Sequence, residues 1–234
     1  MTTPAIDVRG LGVHYGSVRA LDDVTLHLDH GRIHGLIGTN GSGKSTLFNS
    51  LMGEVRPTTG TVTVADAAEH RVAYVPQSES VDWTFPLSVR EVVMTGRYGH
   101  MGFLRHPRAA DRAAVSDALA RTDLTDLAGR QIGQLSGGQK KRTFVARGLA
   151  QQARTVLLDE PFAGVDTTSQ AMITALLHEM ADAGACILIS THDLASVESL
   201  CDTVTMLHGT VVAHGAPAEV MTTDNLMTTF GMVA

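Results

Sequence analysis

The fold is decided by the stretch Gly38-Thr39-Asn40-Gly41-Ser42-Gly43-Lys44-Ser45, which fits the pattern G-x-x-x-x-G-K-[ST] of a phosphate-binding loop. A largely apolar run, Ile33–Ile37, precedes it and predicts a short buried strand. Residues 44–52 follow with apolar side chains at helical spacing. Glycines let the backbone turn its N–H groups toward phosphate oxygens, and the N-terminus of the next helix adds a positive dipole. The stretch therefore predicts a nucleoside-triphosphatase loop between a strand and a helix of an α/β protein.

The composition allows one sizeable domain and argues against a nucleic-acid partner. The chain has 234 residues, 44% of them hydrophobic, and a net charge of −6. Its basic residues form no stripe with interleaved aromatic residues, so we expect no nucleic acid to bind. We also expect neither a signal peptide nor a run of about 20 apolar residues that could cross a bilayer. Cys186 and Cys201 lack a CxxC spacing and are interpreted as structural thiols.

The rest of the chain separates into strand-rich parts and a helical middle. Up to residue 75, short strand-like runs alternate with glycines. Residues 88–150 are rich in Ala, Arg and Asp with helical periodicity, and predict a helical subdomain inserted into the α/β core. Thr155–Leu158 and Cys186–Ile189 are continuous apolar runs, typical of parallel strands covered on both faces. Between these two runs, residues 168–181 predict a helix, and a single short helix is predicted from about Ala218. We predict one domain spanning residues 1–234.

Two adjacent acids end the apolar run Val156–Leu158. Asp159 and Glu160 come at its carboxyl end, and Pro161 follows. Sites of parallel α/β sheets form at the carboxyl ends of strands. We therefore expect Asp159 to hold Mg²⁺ through water, and Glu160 to act as the general base that polarises the attacking water. The alternative, a solvated strand end, leaves two acids at the tip of a buried strand unexplained.

A second glycine-rich cradle is Leu135-Ser136-Gly137-Gly138-Gln139, placed before a predicted helix whose N-terminus favours anions. Two phosphate-facing cradles in one chain can serve one nucleotide only when two copies meet head to tail. Lys140, Lys141 and Arg142 begin this helix, and we interpret them as a solvated basic face. The alternative is that one of them adds positive potential beside the triphosphate.

In residues and in order, these motifs resemble the ATP-binding subunits of ABC transporters over essentially the whole chain. The resemblance implies a P-loop ATPase with a RecA-like core, an antiparallel β subdomain and the inserted helical subdomain. It implies that adenine stacks on Tyr15 and that Gln77 contacts Mg²⁺ and senses the γ-phosphate. It also implies that Asp166 links the two sites across the dimer and that His192 holds the γ-phosphate and the water.

The implied site is thus assigned residue by residue. Glu160 and His192 are its catalytic residues, and Ser45, Gln77 and Asp159 are its Mg²⁺ ligands. The residues implied to bind ATP and Mg²⁺ are Tyr15, Gly38, Thr39, Asn40, Gly41, Ser42, Gly43, Lys44, Ser45, Thr46, Gln77, Ser136, Gly137, Gly138, Gln139, Asp159 and Asp166.

A more specific resemblance lies in residues 81–89 and 94–102, which are similar to ATPases of bacterial importers for divalent transition metals. In this resemblance manganese is the preferred cargo, ahead of zinc or iron. The implied partners are a second copy of the chain, transmembrane permease subunits and, indirectly, an extracytoplasmic metal-binding protein. This assembly implies a location at the cytoplasmic face of the cell membrane, held there through the permease. Trp83 and Phe85 are either an aromatic anchor for the permease or core residues of the helical subdomain.

Other interpretations stay open beside this one. The cargo could be different, for example an iron chelate. Exporter ATPases are commonly fused to membrane segments, and soluble ABC ATPases usually carry a coiled-coil insertion or two tandem domains. A nucleotide kinase with the same phosphate loop leaves residues 135–139 unexplained. His100 and His106 lack ligand-spaced neighbours, so we expect exposed histidines rather than metal ligands.

Overall fold

The computed structural model describes residues 3–65, 67, 71–77 and 85–231. The chain forms two compact units, one comprising Met1–Ala65 and Met180–Ala234 and the other Asp66–Glu179. The helices predicted within residues 88–150 all belong to the second unit. That the whole chain is a single domain stays a prediction.

In the first unit, a three-stranded antiparallel sheet has the order β2-β1-β4. Its strands are β1 (Ile6–Tyr15), β2 (Val18–Leu28) and β4 (Thr59–Val64). Along β2, the buried side chains Val24, Leu26 and Leu28 alternate with exposed ones. This period of two places one face of the strand against the core and the other in water.

Four further strands of this unit lie side by side in the order β7-β3-β8-β9. They are β3 (Arg32–Ile37), β7 (Cys186–Thr191), β8 (Thr203–His208) and β9 (Thr210–Gly215). Strand β3 runs parallel to β7 and β8, whereas β9 pairs antiparallel with β8. All six residues of β7 are buried, as expected for a strand that is covered on both faces.

The helices of the first unit are α1 (Lys44–Leu51), α6 (Leu194–Leu200), α7 (Pro217–Val220) and α8 (Thr223–Phe230). The sequence predicts a single short helix from about residue 218, but the chain forms two. Helix α7 begins at Pro217, which fits the first turn of a helix. Thr222 then starts α8, because its hydroxyl accepts a hydrogen bond from the backbone N–H of Asn225.

A buried histidine fixes the entry to β3. Nε2 of His34 donates to the backbone carbonyl of Asp29 at 3.0 Å, and Nδ1 lies 2.7 Å from the hydroxyl of Thr203. Burial lowers the pKa of His34, because the charged imidazolium would lose its hydration.

The two cysteines are buried in the same unit. Burial raises the pKa of the Cys201 thiol to about 12, because it disfavours the charged thiolate. Cys186 and Cys201 are both buried and are not joined in a disulfide, which agrees with their structural interpretation.

Among its described residues, the second unit has two parallel strands and four α-helices. The strands are β5 (Val72–Val75) and β6 (Thr155–Asp159). The helices are α2 (Val89–Thr95), α3 (Ala109–Arg121), α4 (Gly137–Gln151) and α5 (Thr167–Asp182), the last of which ends beyond the boundary of the unit. Ser88 and Glu91 form a reciprocal capping box at the start of α2.

A buried ion pair ties three helices of the second unit together. Nε of Arg97, just after α2, donates to Oδ1 of Asp111 in the first turn of α3 at 3.0 Å. Arg97 also donates through Nη1 to the backbone carbonyl of Ala150 near the end of α4. The second carboxylate oxygen of Asp111 accepts from the backbone N–H of Arg108.

In the part of the chain that the structure describes, no helix has the length and apolar character needed to cross a membrane.

Candidate nucleotide site

The predicted phosphate loop, residues 38–45, lies between β3 and α1 in the first unit. Ile37, the last residue of β3, pairs with Thr191 of β7 and with Met206 of β8. The loop therefore begins at the carboxyl edge of three parallel strands, where α/β proteins place their sites. The backbone N–H of Gly209 donates to the carbonyl of Ser42 at 2.9 Å and so holds the outer side of the loop.

The interior of the loop admits no side chain at its first position. A Cβ at Gly38 would lie 2.3 Å from Oγ of Ser42 and 2.4 Å from the carbonyl oxygen of Leu207. Oγ of Ser42 is buried and has no hydrogen-bond partner among the described residues. A buried hydroxyl beside a tightly curved backbone is the arrangement that a phosphate oxygen would satisfy. The loop thus fits a bound triphosphate.

Lys44 and Ser45 sit at the start of α1 in contrasting surroundings. The Lys44 side chain is buried, and its ammonium donates to the carbonyls of Gly38 at 2.7 Å and Thr39 at 2.9 Å. It therefore folds back over the loop, within reach of any anion held there. Ser45 is exposed, so its hydroxyl is accessible to a ligand. Gly43 precedes the helix with a φ of 100°, which favours glycine.

Tyr15 and His192 also belong to the first unit. Tyr15 ends β1 with half of its surface exposed, which leaves the ring accessible for stacking. His192 directly follows Thr191, whose strand partner Ile37 directly precedes Gly38. The structure therefore brings His192 to the same sheet edge as the phosphate loop. Its exposed imidazole precedes Asp193, the capping residue of α6.

Gln77 and Asp159 share an edge of the second unit. Val75 of β5 pairs with Leu158 of the parallel strand β6. Gln77 follows this pair by two residues and Asp159 by one, so both lie at the carboxyl ends of neighbouring strands. Asp159 is buried and Gln77 half-buried. An amide oxygen and a carboxylate at one edge form a hard oxygen donor set, which Mg²⁺ prefers.

Glu160 has a left-handed backbone with a φ of 48°, which is unusual for a residue other than glycine. Its carbonyl oxygen accepts two hydrogen bonds: one from the backbone N–H of Ala163 at 3.3 Å, and one from Nζ of Lys141 at 3.0 Å. These contacts fix the peptide that follows the predicted general base. The Lys141 side chain comes from α4, the helix that begins at the second cradle.

The second cradle forms the start of α4. Oγ of Ser136 accepts from the backbone N–H of Gln139, and Oε1 of Gln139 accepts from the backbone N–H of Ser136 at 3.0 Å. This capping box fixes the first turn of the helix. A Cβ at Gly138 would lie 2.7 Å from Oδ2 of Asp166 and 2.8 Å from Oγ of Ser169. The starts of α4 and α5 therefore approach closely, with Asp166 between them.

The interpretation of Lys140, Lys141 and Arg142 as a solvated basic face is wrong for Lys141 and Arg142, whereas Lys140 is half-buried. Lys141 is 2% exposed, and Arg142 is also buried, where it donates to the carbonyl of Thr122 at 3.0 Å. Sequence reasoning missed these contacts because a run of charges on a helix usually faces water. The available signal is spacing, since Lys141 shares a helical face with the buried Val145 and Gly148.

Of the two alternatives for Phe85, the core position is excluded because Phe85 is 60% exposed, whereas the permease anchor stays a hypothesis; Trp83 lies outside the described residues. His106 is exposed as expected, but His100 is half-buried because its Nε2 donates to the carbonyl of Gln151 at 2.9 Å.

Comparison with known proteins decides the family. The family model described as ABC transporter matches residues 21–163. The chain belongs to the ABC transporter family. This match confirms the predicted α/β P-loop fold with its antiparallel sheet and helices. It also confirms the prediction that this ABC protein is an ATP-binding subunit that hydrolyses ATP in transport. Such subunits bind nucleotide, dimerise and work with membrane permease subunits.

Several relatives of this ABC subunit have named transport systems. It is 48% identical to the manganese transport system ATP-binding protein of Synechocystis, over 97% of this chain and 90% of the relative. It is also 48% identical to the chelated iron transport system membrane protein of Yersinia pestis, over 98% and 80%. With the zinc transport system ATP-binding protein of Treponema pallidum it shares 37% identity, over 98% and 88%.

Solved structures agree with this assignment. An ABC transporter in an inward-facing conformation matches with a TM-score of 0.87 and 30% identity, over 98% of this chain and 90% of that one. An ATP-binding subunit of an ABC transporter matches with a TM-score of 0.79 and 27% identity, over 97% and 94%.

Proposed function

We propose that this chain is the ATP-hydrolysing motor of an importer for a divalent transition metal, with manganese favoured over zinc and iron. The observation that carries the proposal is the 48% identity to a manganese transport ATPase along 97% of the chain. The same identity to a chelated iron system makes an iron chelate the second candidate cargo. Because the ATPase does not itself bind the cargo, transport assays have to decide between them.

ATP is proposed to bind with its phosphates on residues 38–46 and its adenine on Tyr15. The orphaned hydroxyl of Ser42 and the inward ammonium of Lys44 support the phosphate position. Backbone N–H groups at the start of α1 add donors that match phosphate oxygens. The exposed ring of Tyr15 supports the adenine position.

The residues Ser45, Gln77 and Asp159 are proposed to hold Mg²⁺. Hydroxyl, amide and carboxylate oxygens suit this hard cation, which keeps several waters and takes few protein ligands. The exposed hydroxyl of Ser45 supports direct contact, whereas the buried Asp159 is assigned a contact through water. When bound, Mg²⁺ neutralises charge that develops on the transferring phosphoryl group.

Hydrolysis is proposed to use Glu160 as the general base and His192 as the residue that positions the attacking water. Glu160 accepts the proton as water attacks the γ-phosphorus in line with the leaving oxygen. Ser136, Gly137 and Gly138 of a second copy close over the γ-phosphate, since the start of α4 offers N–H donors to an anion. Hydrolysis by an isolated copy is expected to be slow, because each site then lacks half of its electrostatic stabilisation.

Gln139 and Asp166 are assigned supporting roles in this head-to-tail dimer. The side chain of Gln139 completes the capping box, so it shapes the cradle that binds the second copy's nucleotide. Asp166 accepts from the backbone N–H of Ser169 and lies against Gly138. Its exposed carboxylate can therefore respond to the neighbouring site while its own helix stays capped.

The permease is proposed to contact an apolar turn, residues Gly102–Arg105. The backbone N–H of Arg105 donates to the carbonyl of Gly102 at 2.8 Å and closes the turn. Phe103 at its tip is fully exposed and Leu104 is 74% exposed, although turn tips usually carry polar residues or glycine. Exposed apolar side chains on a braced turn indicate a docking element. Because Arg105, Arg108 and Arg112 are exposed at the end of the turn and in the residues that follow it, we expect an apolar permease segment flanked by acidic residues.

The permease contact is tested by co-purification of the permease with variants of this chain. Phe103→Ser with Leu104→Ser should lose the permease while ATP binding is kept. Met227→Ser, which alters a partly exposed apolar residue on α8, is the matched control and should retain it. Retention of the permease by the double variant would remove the turn from the interface.

Uptake of radiolabelled manganese tests the proposed cargo. Cells that lack this chain would be complemented with the wild type or with Glu160→Gln, with zinc, iron and iron chelates as competitors. Rescue by the wild type alone supports a manganese importer. If the uptake of another metal or of an iron chelate depends on the chain instead, the motor role stands and the manganese assignment fails. In purified protein, Glu160→Gln should keep ATP binding, lose turnover and trap the dimer.

A further inference from the structure

Lys141 is a buried cation that the proposed mechanism does not use. It is 2% exposed, and its ammonium donates to the carbonyl oxygen of Glu160 at 3.0 Å. Asp159 and Glu160 attract this ammonium electrostatically. A buried lysine is costly unless a partner compensates for its lost hydration. The contact at Glu160 therefore needs an explanation beyond a surface charge.

The backbone of Glu160 is a place where such a contact matters. Its φ of 48° costs an L-residue about 1–2 kcal/mol, so the surrounding structure has to hold it in place. The carbonyl that Lys141 holds belongs to the peptide on the C-terminal side of this dihedral. Holding that oxygen restricts rotation about the Cα–C bond of Glu160, and this limits the directions that its Cα–Cβ bond can take. The direction of its carboxylate depends in turn on that bond.

We propose that Lys141 is a positioning residue: it holds the left-handed peptide of Glu160, so that the carboxylate is presented to the attacking water. The inference rests on the proposed role of Glu160 as general base. Lys141 does not touch the nucleotide in this scheme. It acts only through the backbone of Glu160, where Ala163 supplies a second, weaker hydrogen bond to the same oxygen.

The position of Lys141 on α4 also connects Glu160 to the second cradle. Lys141 lies on α4, five residues after Ser136, which caps that helix at the second cradle. In the proposed dimer, the cradle meets the nucleotide of the other copy, whereas Glu160 serves the nucleotide of its own copy. Lys141 thus joins the two sites within one chain. A shift of α4 on closure of the dimer would be transmitted directly to the catalytic peptide.

Steady-state kinetics of purified variants test this role. Lys141→Met removes the donor but keeps an unbranched side chain, and we expect kcat to fall about 10- to 100-fold, the range known for residues that orient metal ligands through a hydrogen bond. KM for ATP should stay within about twofold, because the interaction acts on the chemical step. Lys141→Gln retains an N–H donor and should recover part of kcat. An unchanged kcat in Lys141→Met, or a raised KM alone, would overturn the proposal.

Arg147→Met is the matched control. Arg147 is a half-buried basic residue of α4 that likewise donates to a backbone carbonyl, that of Tyr74 on β5. Arg147→Met should lower the stability of the protein but leave kcat close to that of the wild type. An equal loss of kcat in both variants would assign Lys141 a general structural role and overturn the inference. Thermal melting of each variant shows whether it is folded under the assay conditions.

Dimer formation separates Lys141 from the cradle. In the Glu160→Gln background, ATP should still trap the dimer after Lys141→Met, as followed by light scattering. Loss of the trapped dimer would mean that Lys141 acts through the cradle instead, which overturns the inference. Normal turnover by Glu160→Gln alone would remove the base assignment itself, and the role of Lys141 with it. Loss of turnover in Glu160→Gln with normal kcat in Lys141→Met would overturn only the inference.

Discussion

Gly138→Ala should destabilise the second unit by crowding the starts of α4 and α5. The new methyl group would lie 2.7 Å from Oδ2 of Asp166 and 2.8 Å from Oγ of Ser169. Overpacking of this kind costs about 1–3 kcal/mol. If Asp166 moves away, it also gives up its bond to the backbone N–H of Ser169, and loss of such a cap costs about 1 kcal/mol. Alanine regains at most about 1 kcal/mol of helix propensity, so we expect a net loss of about 1–3 kcal/mol.

Urea denaturation without nucleotide, followed by circular dichroism, measures this loss as a lower midpoint at an unchanged slope. Gly137→Ala is the control, because its Cβ would meet only the carbonyl oxygen of Gly164 at 3.2 Å. The gain in helix propensity should then nearly offset the crowding, and the midpoint should hardly move.

A double-mutant cycle tests whether Asp166 is the obstacle. Asp166→Ala removes one of the two close atoms, so Gly138→Ala should cost at least about 1 kcal/mol less in that background. If the two changes add to within about 0.5 kcal/mol, the steric argument is refuted. A wild-type midpoint for Gly138→Ala would refute it as well.

Three further outcomes follow from the buried polar groups. His34 and His214 both have pKa values lowered chiefly by burial, so the unfolded chain binds protons more readily than the folded one. The free energy of unfolding should therefore fall as pH drops below about 6.5. His34→Gln should reduce this pH dependence by up to about 1.4 kcal/mol per pH unit, as measured by urea titrations from pH 7.5 to 5. Asp111→Ala leaves Arg97 buried without its carboxylate and should cost about 3–5 kcal/mol by the same assay, whereas Asn should cost less. Cys201, whose pKa is raised to about 12, should resist alkylation at pH 8 until urea unfolds the chain, and rapid native labelling would contradict the buried site.

The regular elements were largely predictable because their signals are local. The continuous apolar runs gave β6 and β7, and the predicted helix at 168–181 is observed as Thr167–Asp182. The phosphate loop was predictable because its glycines and lysine have fixed spacing. The prediction of a single helix near the C-terminus was wrong. Helix α8 begins at the cap formed by Thr222, and this residue follows α7 too closely for hydrophobic periodicity to separate the two helices.

The site was predictable as a set of positions but not as a set of contacts. Residue patterns indicate that Glu160 follows a buried strand; they contain nothing about its positive φ. They also cannot show that Lys141 points toward Glu160, because a lysine on a helix is usually solvated, whereas this one is buried and donates to the Glu160 carbonyl. The contact of Gly138 with Asp166 likewise joins residues far apart in the chain.

Helix α4 gives these contacts a common physical basis. Its first turn forms the cradle capped by Ser136, and Lys141 reaches the peptide of Glu160. At its other end, the carbonyls of Ala150 and Gln151 accept hydrogen bonds from Arg97 and His100, which shortly precede the apolar turn in the chain. A helix of this length transmits a displacement along its axis, because sharp bending would disrupt its backbone hydrogen bonds. Displacement of the cradle by the second copy's ATP would therefore act at once on the catalytic peptide and on the proposed permease contact, which is what coupling of hydrolysis to transport requires.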